Sequence, residues 1–213
     1  MRYALLSLTL LFCGSGILAK SQAQNDSQKA IPVPCPQGYF PVGVFAAAGQ
    51  SSSSKETWYS CMLTAMQEPS LLEATRTSDT SVYRFLFIYG FRTLSVRLAL
   101  NEDGSGVLAG KLGIFGSSTR LYSQDSIAVS KDQVQKVAML LQKAQFWEMP
   151  TEDPQDKSYH MDGAQCVLEG TRNHNYHVVD RSFRGGTDFE QLCRYLMELS
   201  PVKVDQDVRS KTK

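Results

Sequence analysis

The sequence has no excess of charge of either sign. It contains 22 Lys and Arg against 21 Asp and Glu, with three His among 213 residues. Proteins that bind nucleic acid usually concentrate basic residues on one face, so nucleic acid is not an expected partner. The balanced charge, together with 42% hydrophobic residues, excludes a disordered chain. We therefore expect a globular protein.

Short motifs that mark common enzyme classes are also missing. The sequence has no Cys-x-x-Cys unit, no Gly-x-Ser-x-Gly elbow and no His-Glu-x-x-His helix, which are typical of redox or zinc sites, α/β hydrolases and metalloproteases. The segment Gly106–Lys111 departs from a phosphate-binding loop, because one gap is a residue short and Leu112 replaces the Ser or Thr that would bind magnesium. No cofactor is expected.

Long hydrophobic runs are absent except near the start. Ala4–Phe12 is an apolar run that is too short to span a bilayer. It predicts a secretory signal that is cleaved after Ala23 or after Ala19. The large Phe12 directly before Cys13 disfavours a lipoprotein. Because no later run reaches about 18 apolar residues, we expect a mature chain without a transmembrane segment, either periplasmic or secreted.

Composition shifts divide the chain into four expected segments. Three prolines between residues 32 and 36 and four serines at 51–54 favour an extended, flexible stretch, and the charged C-terminal end favours disorder. The segments are a signal peptide over 1–23, an extended N-terminal segment over 24–54, one domain over 55–200 and a disordered tail over 201–213.

Hydrophobic periodicity predicts a meander of strands. Val82–Tyr89 is nearly continuous and rich in β-branched and aromatic residues, which indicates a strand that is covered on both faces. Leu94–Leu100 alternates apolar and polar residues, as a half-buried strand does. Turn residues at 101–104 lead into a third strand, Val107–Leu112.

Helical spacing appears in three places. Trp58–Met66 has apolar residues on one side. Ser130 and Gln133 form a capping box for a helix that ends near Phe146. Thr187 opens a second capping box, before a final helix with one apolar face. The expected fold is α+β: a mostly antiparallel sheet, formed by the meander and a late hairpin, packed by two or three helices in a single domain.

The late hairpin sets which polar residues share a face. Two strand-like segments, Ala164–Gly170 and Tyr176–Ser182, are joined by residues 171–175. If Gly170 faces Tyr176, four polar side chains share one face, and a one-residue slip would remove this grouping. These four are Gln165, Glu169, His177 and Arg181. The other face, under the final helix, carries Cys166, Leu168, Tyr176, Val178 and Asp180.

Four cysteines remain after the signal, in an early and a late pair: Cys35, Cys61, Cys166 and Cys193. An even number in an exported chain allows disulfides. The late pair allows a Cys166–Cys193 bridge in the register above, or two buried free thiols.

Several motifs resemble those of a family of uncharacterised, often exported bacterial proteins. The motifs are Phe146–Pro150, Asp162–Gln165, Leu168–Gly170 and Tyr176–Arg181, with weaker similarity at Glu68–Leu71, Tyr83–Phe85, Leu192-Cys193 and Tyr195-Leu196. The family has no assigned activity, so the resemblance implies a bacterial source and a shared fold. This sequence has Cys166 and Ser182 where the family usually has tryptophans, and Phe183-Arg184 in place of Ser-Pro.

Glu169 and His177 are the weak catalytic candidates. A carboxylate beside an imidazole could tune a general base near neutral pH, but an ordinary cross-strand charge pair is the favoured explanation of the two residues. Cys166 is not expected to act with His177, because the two project from opposite faces. No metal site is expected. The candidate ligands for one are His160, His174 and His177 with Asp162 or Asp180, and their spacing favours surface histidines.

Asp180 and Arg181 are the most informative polar pair. Asp180 points to the packed side and needs a partner, for which Arg84 or the amides near Thr187 are available. Asp180 is then structural, and Arg181 with Gln165 becomes a recognition pair on the face of the late hairpin that the final helix leaves uncovered.

Two functions of different class follow. The first is a non-enzymatic protein-binding domain of the inhibitor, immunity or envelope-accessory type, whose partner is an envelope or secreted protein. Its binding residues would be Gln165, Glu169, His177 and Arg181. The alternative is a small periplasmic hydrolase or ligand-processing enzyme that uses Glu169 and His177.

Overall fold

The strands pair into one antiparallel sheet of six. The computed structural model describes residues 38–45, 53–114, 120–155 and 163–204. The expected signal peptide and Cys35, as well as His160 and Asp162, lie outside these ranges. The elements are α1 (Ser53–Ala65), α2 (Leu71–Ala74), β1 (Val82–Tyr89), β2 (Arg92–Leu100), β3 (Gly106–Ile114), β4 (Arg120–Val129), α3 (Lys131–Lys143), a 3-10 turn (Phe146–Glu148), β5 (Ala164–Arg172), β6 (Asn175–Phe183) and α4 (Asp188–Leu199).

The spatial order of the strands is β4-β3-β2-β1-β5-β6. The meander β1 to β4 is therefore extended on its other side by the late hairpin, and β1 lies inside the sheet. The prediction of a single α+β domain with a mostly antiparallel sheet is confirmed. No helix within the described ranges is long and apolar enough to cross a membrane.

We call the sheet face that packs against α3 and α4 the front face. Leu94, Val96 and Leu98 alternate onto it as the sequence predicts. Helix α4 contributes an apolar side to the same core, and this side consists of Phe189, Leu192, Cys193 and Leu196. Burial of this face supplies most of the apolar packing in the molecule.

The opposite surface, which we call the back face, packs against α1. Leu86 and Val167 belong to one buried cluster with Met62 of that helix and with Met66, which follows the helix. Phe40 and Phe45, from the segment that precedes α1, join this cluster. Their rings contact Tyr59 edge-on, with centroid distances of 6.3 and 5.3 Å. The second face of β2 is thus covered as well, and Thr93 and Ser95 are fully buried.

The helix starts follow the predicted capping chemistry. Ser130 and Gln133 form a complete capping box before α3. Thr187 accepts a hydrogen bond from the Glu190 amide, but the Glu190 carboxylate turns to the amides of Arg184 and Gly185 instead of closing the box. The start of α4 is therefore held by two caps from different residues.

The register predicted for the late hairpin is wrong by one residue. Arg172 pairs with Asn175, so the loop has two residues, and Gly170 faces His177 instead of Tyr176. Asn173 and His174 have φ of 51° and 59°, the left-handed pair that a tight type I′ hairpin turn needs and that Asn accepts readily. Every side chain of β6 consequently lies on the face opposite to the one expected.

Candidate functional site

The shift in register separates the four residues that were expected to form one binding surface. Gln165 and Glu169 lie on the back face, whereas His177 and Arg181 lie on the front side of β6. Glu169 faces Val178, so the Glu169 and His177 pair of the enzyme hypothesis is not formed. The grouping as a single open site is thus wrong.

Glu169 instead forms a buried ion pair with Arg84. The two residues face each other across β1 and β5, and the Arg84 Nε and Nη2 atoms lie 2.7 and 2.5 Å from the Glu169 Oε2 atom. Both side chains are at most 1% exposed. Tyr176 donates to the other carboxylate oxygen at 2.8 Å. Burial raises the pKa of Glu169, against the opposing effect of Arg84.

Glu68 adds three contacts to this cluster. Its carboxylate lies 3.9 Å from Arg84, 3.2 Å from Arg97 and 3.2 Å from Lys111. Lys111 also donates to the Gln67 carbonyl at 2.7 Å, and Arg84 donates to the Pro69 carbonyl. Three cations and two carboxylates thus fix the connection between α1 and α2 to the back face. This arrangement is that of a structural network.

Asp180 is a buried structural carboxylate, but its partners are not the expected ones. It accepts hydrogen bonds from Tyr59 at 3.0 Å, from Lys55 at 3.0 Å and from Gln165. Lys55 also pairs with Glu152 at 2.5 Å. Burial alone would lower the pKa of Lys55, but the carboxylates of Asp180 and Glu152 raise it overall. Arg84 pairs with Glu169, and the amides near Thr187 bind Glu190, so neither is available to Asp180.

Arg181 binds the chain that runs beside β6. Its guanidinium donates to the carbonyls of Pro150 and Thr151 at 2.6 and 2.8 Å. The Asp180 amide donates to the same Thr151 carbonyl at 2.7 Å. The outer edge of β6 is therefore partly occupied by the protein's own loop. Burial lowers the pKa of Arg181, and the contacts of this side chain are internal.

The two described histidines do not converge. His177 packs on the front face, with its ring 5.0 Å from Phe146 and 6.0 Å from Trp147, and burial lowers its pKa. His174 lies in the hairpin turn, where it contacts the Thr75 carbonyl at 2.8 Å and Asp79 at 2.5 Å. Within the described ranges, no group of three or more His, Cys, Asp or Glu side chains is placed to hold a metal ion.

Cys166 and Cys193 are free thiols, buried next to each other under α4. Burial, followed by the hydrogen bond with Cys193, raises the pKa of Cys166. Of the two alternatives that the sequence left open, the structure therefore has the free thiols. Both side chains belong to the front core.

The exposed part of the sheet lies at its other end. Along β4, residues 124–128 are all exposed, and Val107 on β3 is 45% exposed. Val107 pairs with Ala128, and Ala109 pairs with Ser126. We define the open face as the back-face residues of these two strands beyond α1: Val107, Ala109, Gln124, Ser126 and Ala128. Sequence reasoning missed it because β4 lacks both a regular alternation and conspicuous functional side chains.

The outer edge of β4 has no neighbouring strand among the described residues. The strand is ten residues long and contains neither Pro nor Lys, the residues that commonly protect such edges. Arg97 on β2 borders the open face beside Ala109, and its side chain is 28% exposed.

Comparison of the sequence with known families and with curated proteins gives no match in either case.

Proposed function

We propose that this protein is an exported bacterial, non-enzymatic domain that binds an envelope or secreted protein, and that the partner adds a strand to the outer edge of β4. The observation that carries the proposal is the contrast between the two outer strands. The β6 edge is partly occupied by Thr151, which accepts a backbone hydrogen bond from Asp180, whereas β4 is exposed over most of its length. An unpaired strand edge is a template for strand addition by another chain.

The open face suits such a partner. Ser126 and Ala128 have small side chains, so on this face the side chains of an added strand would meet little obstruction from β4. Arg97 provides a cation next to them, although one side of it is already bound to Glu68. Inhibitors, immunity factors and envelope accessory proteins act by binding another protein without turnover.

Export is supported by the leader-like residues 4–12 and by the resemblance to exported bacterial proteins. The proposed export would place Cys61 on α1 in an oxidising compartment, where disulfides form. Cys35, the other member of the early pair, lies outside the described residues. The hydrolase alternative required Glu169 beside His177, and these residues occupy opposite faces.

A capture experiment tests the proposal. The tagged protein, in the form that the producing cell accumulates, is used to capture partners from envelope extract and culture fluid. It is compared with the double variant Ser126→Lys and Ala128→Lys, which places two cations on the open face. The matched control, Gln135→Lys and Gln142→Lys, adds the same charge at exposed positions of α3.

We expect a stoichiometric protein partner that is lost with the β4 variant and retained with the α3 variant, while both variants unfold at the wild-type temperature. Retention of the partner by the β4 variant would contradict the proposed location. Absence of any stoichiometric partner would contradict the proposed function itself.

A further inference from the structure

The exposed part of β4 carries a single charge, on Asp125. Between Leu121 and Val129 no other side chain is charged, and Asp125 itself is exposed. One carboxylate oxygen accepts a hydrogen bond from the amide of the next residue, Ser126, at 2.7 Å. No residue in the described part of the chain forms an ion pair with this carboxylate. Within that part, Asp125 is therefore a charge without a cation.

The neighbouring strand β3 provides no partner for this carboxylate. Asp125 pairs with Gly110, which has no side chain. The place that a side chain at Gly110 would occupy is filled by the segment after α4, because an added Cβ atom would lie 2.7 Å from the Ser200 Oγ atom. On either side of Gly110, β3 presents Leu108 and Leu112 to the front face. Toward β3, Asp125 therefore has only a glycine and apolar side chains beside it.

The lysines of α3, the helix that follows β4 and packs on the front face, have other contacts. Lys131 lies 4.0 Å from Asp103, and Lys143 lies 2.8 Å from Asp188. The Lys136 Nζ atom lies 4.2 Å from the centre of an aromatic ring on α4. None of these lysines is paired with the carboxylate on β4. The position that remains for a cation is the outer side of β4, where the sheet has no further strand among the described residues.

Ile127 follows Asp125 on the same side of β4. It is 38% exposed and pairs with the buried Leu108 of β3. A strand added beside β4 would place one side chain directly opposite each of these positions, with Cβ atoms about 5 Å apart. A basic side chain opposite Asp125 and an apolar side chain opposite Ile127 would both gain contacts that stabilise the pairing. The edge thus specifies a pattern of charge and hydrophobicity for the strand that it accepts.

We propose that Asp125 selects the strand that the partner adds to β4: an extended segment with a Lys or Arg opposite Asp125 and an apolar residue opposite Ile127. This inference rests on the proposed function and adds the chemistry of the partner to it. Charge complementarity favours this occupant over a second copy of the protein. In an antiparallel pairing of two β4 strands centred on Asp125, the two carboxylates would lie opposite each other, and like charges in this position are destabilising.

Binding to tethered strand peptides tests the proposal. Each peptide has the sequence Val-Thr-Val-Thr-X-Thr-Val-Thr-Val, about the length of an ordinary strand, in which X is Lys, Gln or Glu. The valines share a face with X, and the sequence is the same in both directions, so parallel and antiparallel addition present the same side chains. Attachment at low density prevents the peptides from pairing with one another. Surface plasmon resonance measures their affinity for the protein in the form that the producing cell accumulates.

Charge variants of the protein locate the contact. We expect the wild type to bind the Lys peptide about fivefold more tightly than the Glu peptide, with a difference that narrows as salt is added. Asp125→Lys should reverse this order, and Asp125→Asn should remove most of the difference. The matched control Glu102→Lys makes the same change of charge at an exposed position in the β2–β3 turn and should keep the wild-type order. A reversed preference cannot result from loss of folding.

The inference and the proposed function fail through different results. Equal binding of the three peptides, binding of none, or a wild-type order in Asp125→Lys would overturn the inference. A partner captured from envelope extract that Asp125→Lys binds as tightly as the wild type does would also overturn it and leave the proposed function intact. Absence of any captured partner would overturn the proposed function. A wild-type dimer in sedimentation equilibrium that Ser126→Lys dissociates would assign the edge to a second copy and overturn the inference.

Discussion

The two outer strands of the sheet, β6 and β4, differ in how completely the protein covers them. On β6, Asp180 is bound by Tyr59 and Lys55, and the edge is partly occupied by Thr151. On β4, residues 124–128 remain exposed and the outer edge has no neighbouring strand among the described residues. The strand that is rich in polar side chains uses them for its own structure, and the plainer strand is the one that is accessible to another molecule.

The comparison shows why chemically conspicuous residues can mislead. Glu169, Asp180 and Arg181 attract attention in the sequence because charged groups are costly to bury and are often functional. In this fold, each of them has internal partners that pay that cost. The predictions below test whether the β5–β6 side depends on its polar contacts while the β4 side does not.

The largest expected effect comes from breaking the buried ion pair. Arg84→Met or Glu169→Met alone should lower the free energy of unfolding by about 3–5 kcal/mol, because either change leaves a buried charge without its partner. Chemical denaturation monitored by circular dichroism measures the loss.

The double variant with both substitutions is the critical control. It should be more stable than either single variant, because no uncompensated charge remains. Arg97→Met provides a comparison nearer the open face. Its side chain is partly exposed, so the cost should be at most about 1 kcal/mol. Losses in the double variant that equal the sum of the single losses would contradict the pairing.

A smaller loss is expected where the late hairpin approaches the 3-10 turn. A Cβ atom added at Gly170 would lie 2.7 Å from the Phe146 ring. Gly170→Ala should therefore lower the free energy of unfolding by about 1–3 kcal/mol through overpacking. The matched variant Gly90→Ala tests the strain of a positive φ without overpacking, because Gly90 lies in the turn between β1 and β2 and an added Cβ atom would meet nothing there. Thermal unfolding of Gly170→Ala at the wild-type temperature would show that the ring moves aside freely.

Much of the fold could be predicted from local signals. The strand Val82–Tyr89 has the predicted bounds, and the Ser130 capping box is complete. The predicted register of the late hairpin is wrong because polar residues 171–175 look like a five-residue loop. In the structure, Arg172 pairs with Asn175, and the loop has only two residues. A register depends on turn geometry, and a single residue decides which face each side chain occupies.

The site was less predictable than the fold. Arg84 was expected to be available to Asp180, yet it faces Glu169 because β1 and β5 pair in that register. This pairing joins residues that are 85 positions apart, and local periodicity contains no information about it. The open face depends on where α1 ends above the sheet, which is also a long-range property.

The pH dependence of stability should contain a contribution from His177. Burial holds its pKa below the ordinary value of 6.5 in the folded protein. As the pH falls below 6.5, the unfolded chain therefore binds more protons than the folded protein, and this residue destabilises the fold. Glu169 has a raised pKa, so its contribution to stability has the opposite sign. This contribution stabilises the fold at low pH and is lost as the pH rises through the raised pKa.

Comparison with His177→Gln separates the two contributions. The melting temperature of the wild type minus that of the variant should decrease as the pH is lowered from about 7.5 to about 5, because only the wild type has the titrating ring. A difference that stays constant over this range would show that the His177 pKa is not lowered in solution.

The smallest effect on stability is expected on β4. Ser126 is exposed on the open face, and its neighbour across the strands is Ala109. Ser126→Val should change the free energy of unfolding by no more than about 0.5 kcal/mol, because the Ser126 side chain is exposed and its replacement removes no buried contact. Denaturant titration of this variant beside Gly170→Ala measures both ends of the sheet under the same conditions. A loss at Ser126 as large as that at Gly170 would mean that the protein already covers β4, and the distinction between the two outer strands would fail. A near-neutral result would leave the β4 surface available to a partner, because its side chains are not needed to hold the fold together.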